Sequence, residues 1–199
     1  MRQPVAHTPE SSTQPYTYAD YLRWGDNTRC ELYNGIVNEM LPAPSRRHQE
    51  VSGNLFFQFK RFLRGNPCKV YHAPFDVRLP KSAGDTADDE IYTVVQPDIV
   101  VVCDPQKLDE RGCIGAPDLI VEILSPSNSK NDVDDKFTLY QEAGVRAYWI
   151  VHPLEETLIV YHLDQQGKLA YQHIYSNMSQ VQVGIFDGII IDLQEVFQS

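Results

Sequence analysis

No run of about 20 apolar residues occurs anywhere in this chain of 199 residues, so no membrane-spanning helix is expected and the protein should be soluble. Met1 to Pro15 lacks the apolar stretch of an export signal; rich in Ser, Thr, Pro and Gln, it reads as a loose tail. Cysteine is scarce as well. The four present, Cys30, Cys68, Cys103 and Cys113, form no C-x-x-C pair and none stands at metal-ligand spacing from a histidine, which excludes a zinc site from expectation. Without an export signal they are expected to be reduced, mostly buried thiols of a cytoplasmic protein. Positive charge is also in short supply, with 17 Lys and Arg against 27 Asp and Glu and a formal net charge of −10. That balance argues against coating nucleic acid by bulk electrostatics. Any DNA binding has to come from a local cluster, and one exists: Arg46, Arg47, Lys60, Arg61, Arg64 and Lys69 face the single acid Glu50 within their span.

What is present reads as one domain over residues 16–199, with no break in composition and no internal repeat. Thr17 to Trp24 reads as a short helix with Thr17 as its cap. Asn34-Gly35, the dipeptide that favours a two-residue type I′ turn, lies between Glu31-Leu32-Tyr33 and Ile36 to Met40 and predicts a hairpin. A long helix follows from about Arg47 to Arg64, marked by Val51, Leu55, Phe59 and Phe62 at helical spacing and closed by Gly65-Asn66-Pro67. Val70 to Leu79 reads as one strand and Lys81 to Glu90 as an acidic loop. Val94 to Cys103 and Asp118 to Leu124 are nearly continuous apolar runs, the pattern of strands buried on both faces. A helix ending at Gly144, a strand from Arg146 to Val151 and a meander from Thr157 to Phe197 complete an α/β fold: a mixed central sheet flanked by helices, with a C-terminal β meander.

One residue in this pattern is out of place. If 132–143 is helical, Val133, Phe137, Leu139, Tyr140 and Ala143 share an apolar arc, and Lys136 falls in its middle. Asp134, Asp135, Thr138, Gln141 and Glu142 fill the opposite arc, so a polar face was available for it. An inward ammonium needs carboxylates or an anionic ligand to offset its desolvation. Glu122, in the preceding strand-like run, can supply one. Asp118 cannot share an ion with it, because four residues of strand at about 3.3 Å each separate them by roughly 13 Å. Asp98 can, because neighbouring strands lie only about 4.8 Å apart. Hard oxygen ligands of this kind suit Mg²⁺ or Mn²⁺, which polarise a phosphoryl oxygen and lower the pKa of an attacking water. Two acids and a lysine converging on one place therefore point to metal-assisted phosphodiester chemistry. The plainer alternative is that Asp98 and Glu122 only bind loop amides at strand ends.

Five segments in order carry a resemblance: Glu31-Leu-Tyr-Asn-Gly35, Pro97-Asp98-Ile-Val-Val, Asp118-Leu-Ile-Val-Glu122-Ile-Leu-Ser-Pro-Ser127, Asp135-Lys136-Phe-Thr-Leu-Tyr140 and Gly144-Val-Arg-Ala-Tyr-Trp-Ile-Val151. Over roughly Thr17 to Pro153 the chain resembles the Uma-two family of endonucleases, within the PD-(D/E)xK nuclease superfamily. The resemblance implies a restriction-endonuclease-like fold, a divalent metal, and catalytic roles for Asp98 and Glu122. Glu31 is a further family-matched acid. The position two after Glu122, where the superfamily motif places its lysine, is Leu124. Helical arc and resemblance offer the same substitute, Lys136.

These readings predict a Mg²⁺-dependent DNA endonuclease, with a homodimer compatible with that activity. Asp98 and Glu122 hold the metal, Glu31 supports it or a second ion, and Lys136 positions the water or stabilises charge on the phosphate. His48 shares the inward face of the long helix, as a core histidine or as an auxiliary in proton transfer. Ser125 and Ser127 read as turn or cap residues, and Tyr140, Tyr148 and Trp149 as core aromatics. Two rivals stay open on the same fold: a DNA-binding protein that does not cut, and a protein-interaction module that never meets nucleic acid.

Overall fold

Proline decides where this chain changes sheet. Val70 to Leu79 and Val94 to Cys103 each read as a single strand in sequence, yet in the computed structural model, which describes residues 14–24, 29–40, 43–82, 84–125 and 130–198, both are broken. Pro74 and Pro97 carry no N–H for a strand ladder, and each break hands the chain from one sheet to another.

In chain order the elements are α1 (Tyr18–Trp24), β1 (Cys30–Tyr33), β2 (Ile36–Glu39), α2 (Arg46–Phe62), β3 (Lys69–His72), β4 (Asp76–Arg78), β5 (Val94–Val95) and β6 (Ile99–Val102). A 3-10 turn at Pro105–Lys107 leads into β7 (Leu108–Asp109), β8 (Gly112–Ile114), β9 (Leu119–Ile123), α3 (Lys130–Ala143) and β10 (Ala147–His152). The chain closes with β11 (Thr157–Leu163), β12 (Leu169–Ser176), β13 (Gln180–Gln182), β14 (Ile190–Asp192) and α4 (Leu193–Phe197). The central sheet runs β12-β11-β10-β9-β6-β3 and is mixed, with β9 and β10 parallel and its other neighbours antiparallel. A second six-stranded sheet, β2-β1-β5-β4-β8-β7, and the hairpin β13-β14 complete the α/β fold. Two sheets thus stand where one was expected, and Leu193–Phe197, expected within the meander, is a short helix. Asp192 caps it by accepting from Gln194 N at 2.9 Å.

Local signals explain most of the rest. Asn34 and Gly35 take φ of 53° and 83°, the signature of a type I′ hairpin. Gly35 is further required because a Cβ there would come within 2.4 Å of Pro15 Cβ. Pro15 is therefore packed rather than loose; the remainder of the expected tail up to residue 13, and Ser127, lie outside the described residues. Ser45 starts α2 by accepting from His48 N at 3.2 Å. Val51, Leu55 and Phe59 pack that helix on one face of the central sheet, where the Phe59 and Trp149 rings are 5.7 Å apart. Gln58 ties the same helix to the chain end, donating to Asp192 O and accepting from Asp192 N, each at 2.9 Å. On the opposite face α3 packs Leu139 and Tyr140 against Val100, Ile120, Tyr148 and Ile150. No helix among the described residues is long and apolar enough to cross a membrane.

The expectation of four reduced thiols needs correction. Lys69 pairs with Val102, so one residue further out Cys68 faces Cys103, and the two form a disulfide with their Cα atoms 3.8 Å apart. Strand register brings together what the sequence separates by 35 residues. Cys30 and Cys113 are free and buried.

Candidate active site

Asp98 owes its place to Pro97. Ile99 pairs with Val121 and Val100 with Ile120 across antiparallel β6 and β9, and the next pair outward is Asp98 and Glu122. By strand alternation both belong to the face of Val100 and Ile120, which α3 covers. The ladder stops there, and the Asp98 carboxylate takes over, accepting from Ile123 N through Oδ2 at 2.7 Å. His48, in the first turn of α2, brings Nε2 to 3.3 Å from Asp98 Oδ1. Asp118 is engaged elsewhere, accepting from Cys103 N at 2.8 Å and Arg146 Nη1 at 2.7 Å.

Helix α3 delivers the lysine. Lys136 is 8% exposed, and its Nζ stands 3.0 Å from Glu122 Oε1 and 3.2 Å from Glu31 Oε2. Tyr140, one turn further along, donates to the same Glu122 oxygen at 2.6 Å. Glu31 on β1 is held from the second sheet, accepting from Gln96 N at 2.7 Å and from the Tyr33 hydroxyl at 2.7 Å. That hydroxyl is also 3.1 Å from Asp132 Oδ1, so one proton serves two carboxylates. The structure thus brings Glu31, Asp98, Glu122, Lys136 and His48 together where the two sheets meet.

The electrostatics follow from burial. Burial pushes the Glu122 carboxyl up to about 7, helped by Asp98 and Glu31 and opposed by Lys136 and the Tyr140 hydrogen bond. For Lys136 burial disfavours the charge, but Glu122, Glu31 and Asp132 outweigh it and raise its pKa above the ordinary lysine value. Burial also works against a charged His48; the Asp98 hydrogen bond and charge, the Ile123 backbone and Glu122 overcome it and raise its pKa. Burial and the neighbouring glutamates keep the Tyr33 and Tyr140 phenols protonated.

Among the described residues no three His, Cys, Asp or Glu side chains form an ion cage. Mg²⁺ rarely uses one: it is commonly bound by one or two carboxylates, with waters and substrate phosphate completing the shell. Asp98 and Glu122, hard oxygen donors opposite each other at a strand end, match that number of carboxylates.

Sequence reasoning missed Tyr33, Gln96, Asp132, and the second role of Tyr140 beyond core packing. Three left a signal. Tyr33 is two residues from Glu31 on a strand, and Asp132 and Tyr140 lie four residues either side of Lys136 on a helix, each spacing placing the pair on one face. Gln96 acts through its backbone and leaves none. The basic cluster is weaker than its composition implies, because Arg46 pairs with Glu50 at 2.6 Å and Arg47 with Glu156 at 2.8 Å. Lys60 and Arg61 lie in the last turn of α2, Arg64 just past it and Lys69 at the start of β3; at about 1.5 Å per residue, Arg61 is roughly 20 Å from His48.

Comparison with known proteins bears on this arrangement. The model of the Uma2 family, described as "Putative restriction endonuclease", matches residues 18–194. An uncharacterized protein of Synechocystis sp. is 26% identical over 166 residues, covering 82% of each chain. A crystal structure from Anabaena variabilis, described as a "putative nuclease belonging to DUF820", aligns with a TM-score of 0.70 at 19% identity, covering 92% of this chain and 98% of that one. Identity that low speaks for a shared fold.

Proposed function

Since the chain belongs to the Uma2 family, we propose that it is a divalent-metal-dependent endonuclease that hydrolyses DNA phosphodiester bonds where the two sheets meet. One observation carries the reading: a buried ammonium clamped between two buried glutamates, with Asp98 across the strand pair from one of them. Burying this many charges is costly, and catalytic sites are where such arrangements cluster.

Asp98 and Glu122 would hold Mg²⁺ or Mn²⁺; when bound, such an ion polarises a phosphoryl oxygen and makes a coordinated water more acidic. Lys136 keeps its proton in this setting and directs N–H donors at the attacking water or at charge developing on the phosphate. Glu31 is the second acid that holds Lys136, and Gln96 N and Tyr33 in turn hold Glu31. Tyr140 fixes Glu122, and His48 with Ile123 N fixes Asp98, so the acids are positioned before substrate arrives. Without a cation this acidic site repels a phosphate. Lys60, Arg61, Arg64 and Lys69 would engage the backbone further along the same duplex.

The test is cleavage of supercoiled plasmid by purified protein with Mg²⁺ or Mn²⁺, alongside Asp98→Asn and Glu122→Gln. Nicked or linear product from the parent, absent with either variant and with chelator, is expected. A parent that binds DNA but never cuts it under either ion would replace the proposal with the non-catalytic DNA-binding reading.

A further inference from the structure

A cavity of about 410 Å³ adjoins the acidic cluster and takes no part in the chemistry described above. Tyr71 on β3 and Phe75, just past the Pro74 break, line it, with rings 4.4 Å apart and only 8° from parallel. Tyr71 pairs with Val100, which places it on the same sheet face as Asp98 and Glu122. Ala73 N donates to Asp98 O at 3.1 Å, so Phe75 sits two residues beyond a direct backbone link to the site. Gln96 makes the second link, lining the cavity while its backbone N donates to Glu31.

The wall chemistry selects against phosphate. Asp76, Asp109 and Glu110 line the cavity against one cation, Arg111, which is already paired with Asp88 at 2.7 and 3.0 Å. Asp76 is occupied by Tyr18 and Gln96 hydrogen bonds at 2.9 and 2.8 Å and Asp109 by Arg78 Nη2 at 2.5 Å, whereas Glu110 is exposed. Aromatic faces with an acidic rim suit an uncharged planar group carrying N–H donors, which describes the edge of a nucleobase. Within a continuous duplex that edge and both base faces are already in use.

We propose that this cavity is a nucleobase subsite, taking one unpaired base on the Tyr71–Phe75 pair while its adjoining phosphate lies at Asp98 and Glu122. The preferred substrate is then DNA with an unpaired nucleotide at the cut rather than continuous duplex. Placement of the phosphate rests on the endonuclease reading; stacking of the base does not.

Two measurements separate these. The first compares cleavage, with Mg²⁺ or Mn²⁺, of a duplex and of the same duplex carrying one unpaired nucleotide, using the parent, Phe75→Leu, Tyr71→Leu and the conservative Tyr71→Phe. The parent should favour the unpaired substrate by about tenfold or more, as one lost base-stacking contact is worth. Both leucine variants should lose that ratio and Tyr71→Phe should keep it. The second follows fluorescence of a single strand containing 2-aminopurine as it binds, with Mg²⁺ present, to protein carrying Glu122→Gln, where no cutting occurs and into which the Tyr71 and Phe75 substitutions are introduced. Stacking quenches the probe with Glu122→Gln alone and with Tyr71→Phe added but not with the leucine variants, each checked for folding by circular dichroism. Equal cleavage of both substrates by the parent, or leucine variants that retain the preference, overturns the subsite. If nothing is cut, the endonuclease reading fails and the quenching experiment alone decides: no quenching with Glu122→Gln alone overturns the subsite, and quenching lost in the leucine variants upholds it.

Discussion

Replacing Lys136 with Met keeps most of the apolar stem and deletes the ammonium, leaving Glu31 and Glu122 facing each other at 5% and 8% exposure. Removing one member of a buried ion pair costs about 3–5 kcal/mol, because the other charge stays buried without compensation. For a chain of this size each kcal/mol lowers Tm by about 2–4 °C, so a fall of roughly 6–20 °C is expected at alkaline pH. The loss should depend on pH with a definite sign. Glu122 in the native parent already sits at about 7, above its ordinary 4.5, and losing Lys136 pushes it higher. An acid whose native pKa is raised costs nothing below its unfolded value and the most above its native one, so the deficit grows as pH rises through this window. Urea unfolding at pH 5.5 and 8.5 measures it. Lys136→Met/Glu122→Gln, which removes one of the opposed charges, should recover most of the loss at pH 8.5. A deficit below about 0.5 kcal/mol at pH 8.5, the range of ordinary surface substitutions, would mean that the ammonium is solvated and the clamp does not exist. Lys136→Met that folds and cuts DNA as fast as the parent would remove the lysine from the mechanism.

Three further outcomes follow from the same structure. DNA affinity should fall linearly on a log–log plot against salt, and each of Lys60→Gln, Arg61→Gln and Arg64→Gln should shallow the slope by about 0.9; an unchanged slope places the contact elsewhere. Burial pushes the Cys30 and Cys113 thiols up to about 11 and about 12, so native protein should resist alkylation. Unfolded without reductant it should take label only at those two, and after reduction at all four; four labels without reductant would refute the Cys68–Cys103 link. Burial lowers the His162 pKa below its ordinary 6.5, so the unfolded chain binds that proton more readily. Stability from this group is present above pH 6.5 and lost as pH falls, and His162→Gln should flatten the Tm profile between pH 7 and 5; an identical profile would show the ring to be freely solvated.

How much was legible in sequence depended on whether the information was local. The Asn34-Gly35 turn, the stripe of α2 and the Gly144 stop rest on interactions within a few residues, and all could be read directly. Asp98 and Glu122 were paired by strand spacing alone, and the same reasoning separated Asp118, which the structure finds tied to Cys103 and Arg146. The apolar runs through Pro74 and Pro97 misled, because hydrophobicity continues across a break that the missing N–H enforces. The disulfide and the Gln96 contacts were invisible for a different reason. Both depend on register and sheet order, which no single segment encodes.

Lys136 reaches the carboxylates from a helix, not from the strand that carries Glu122. A lysine at Leu124 would have risen from the same strand as Glu122, two residues or about 6.6 Å along it, with its charge balanced within one sheet. Lys136 descends from α3 instead and closes a gap between sheets, since Glu122 belongs to the central sheet and Glu31 to the second. An ammonium brought in from above needs a second acid to be held over the first, and Glu31 supplies it. Tyr33 and Gln96, which touch Glu31 but not Glu122, then become part of the support for a charge carried by a distant helix. One cation carried by α3 therefore draws the β1–β2 hairpin into the same cluster through Glu31.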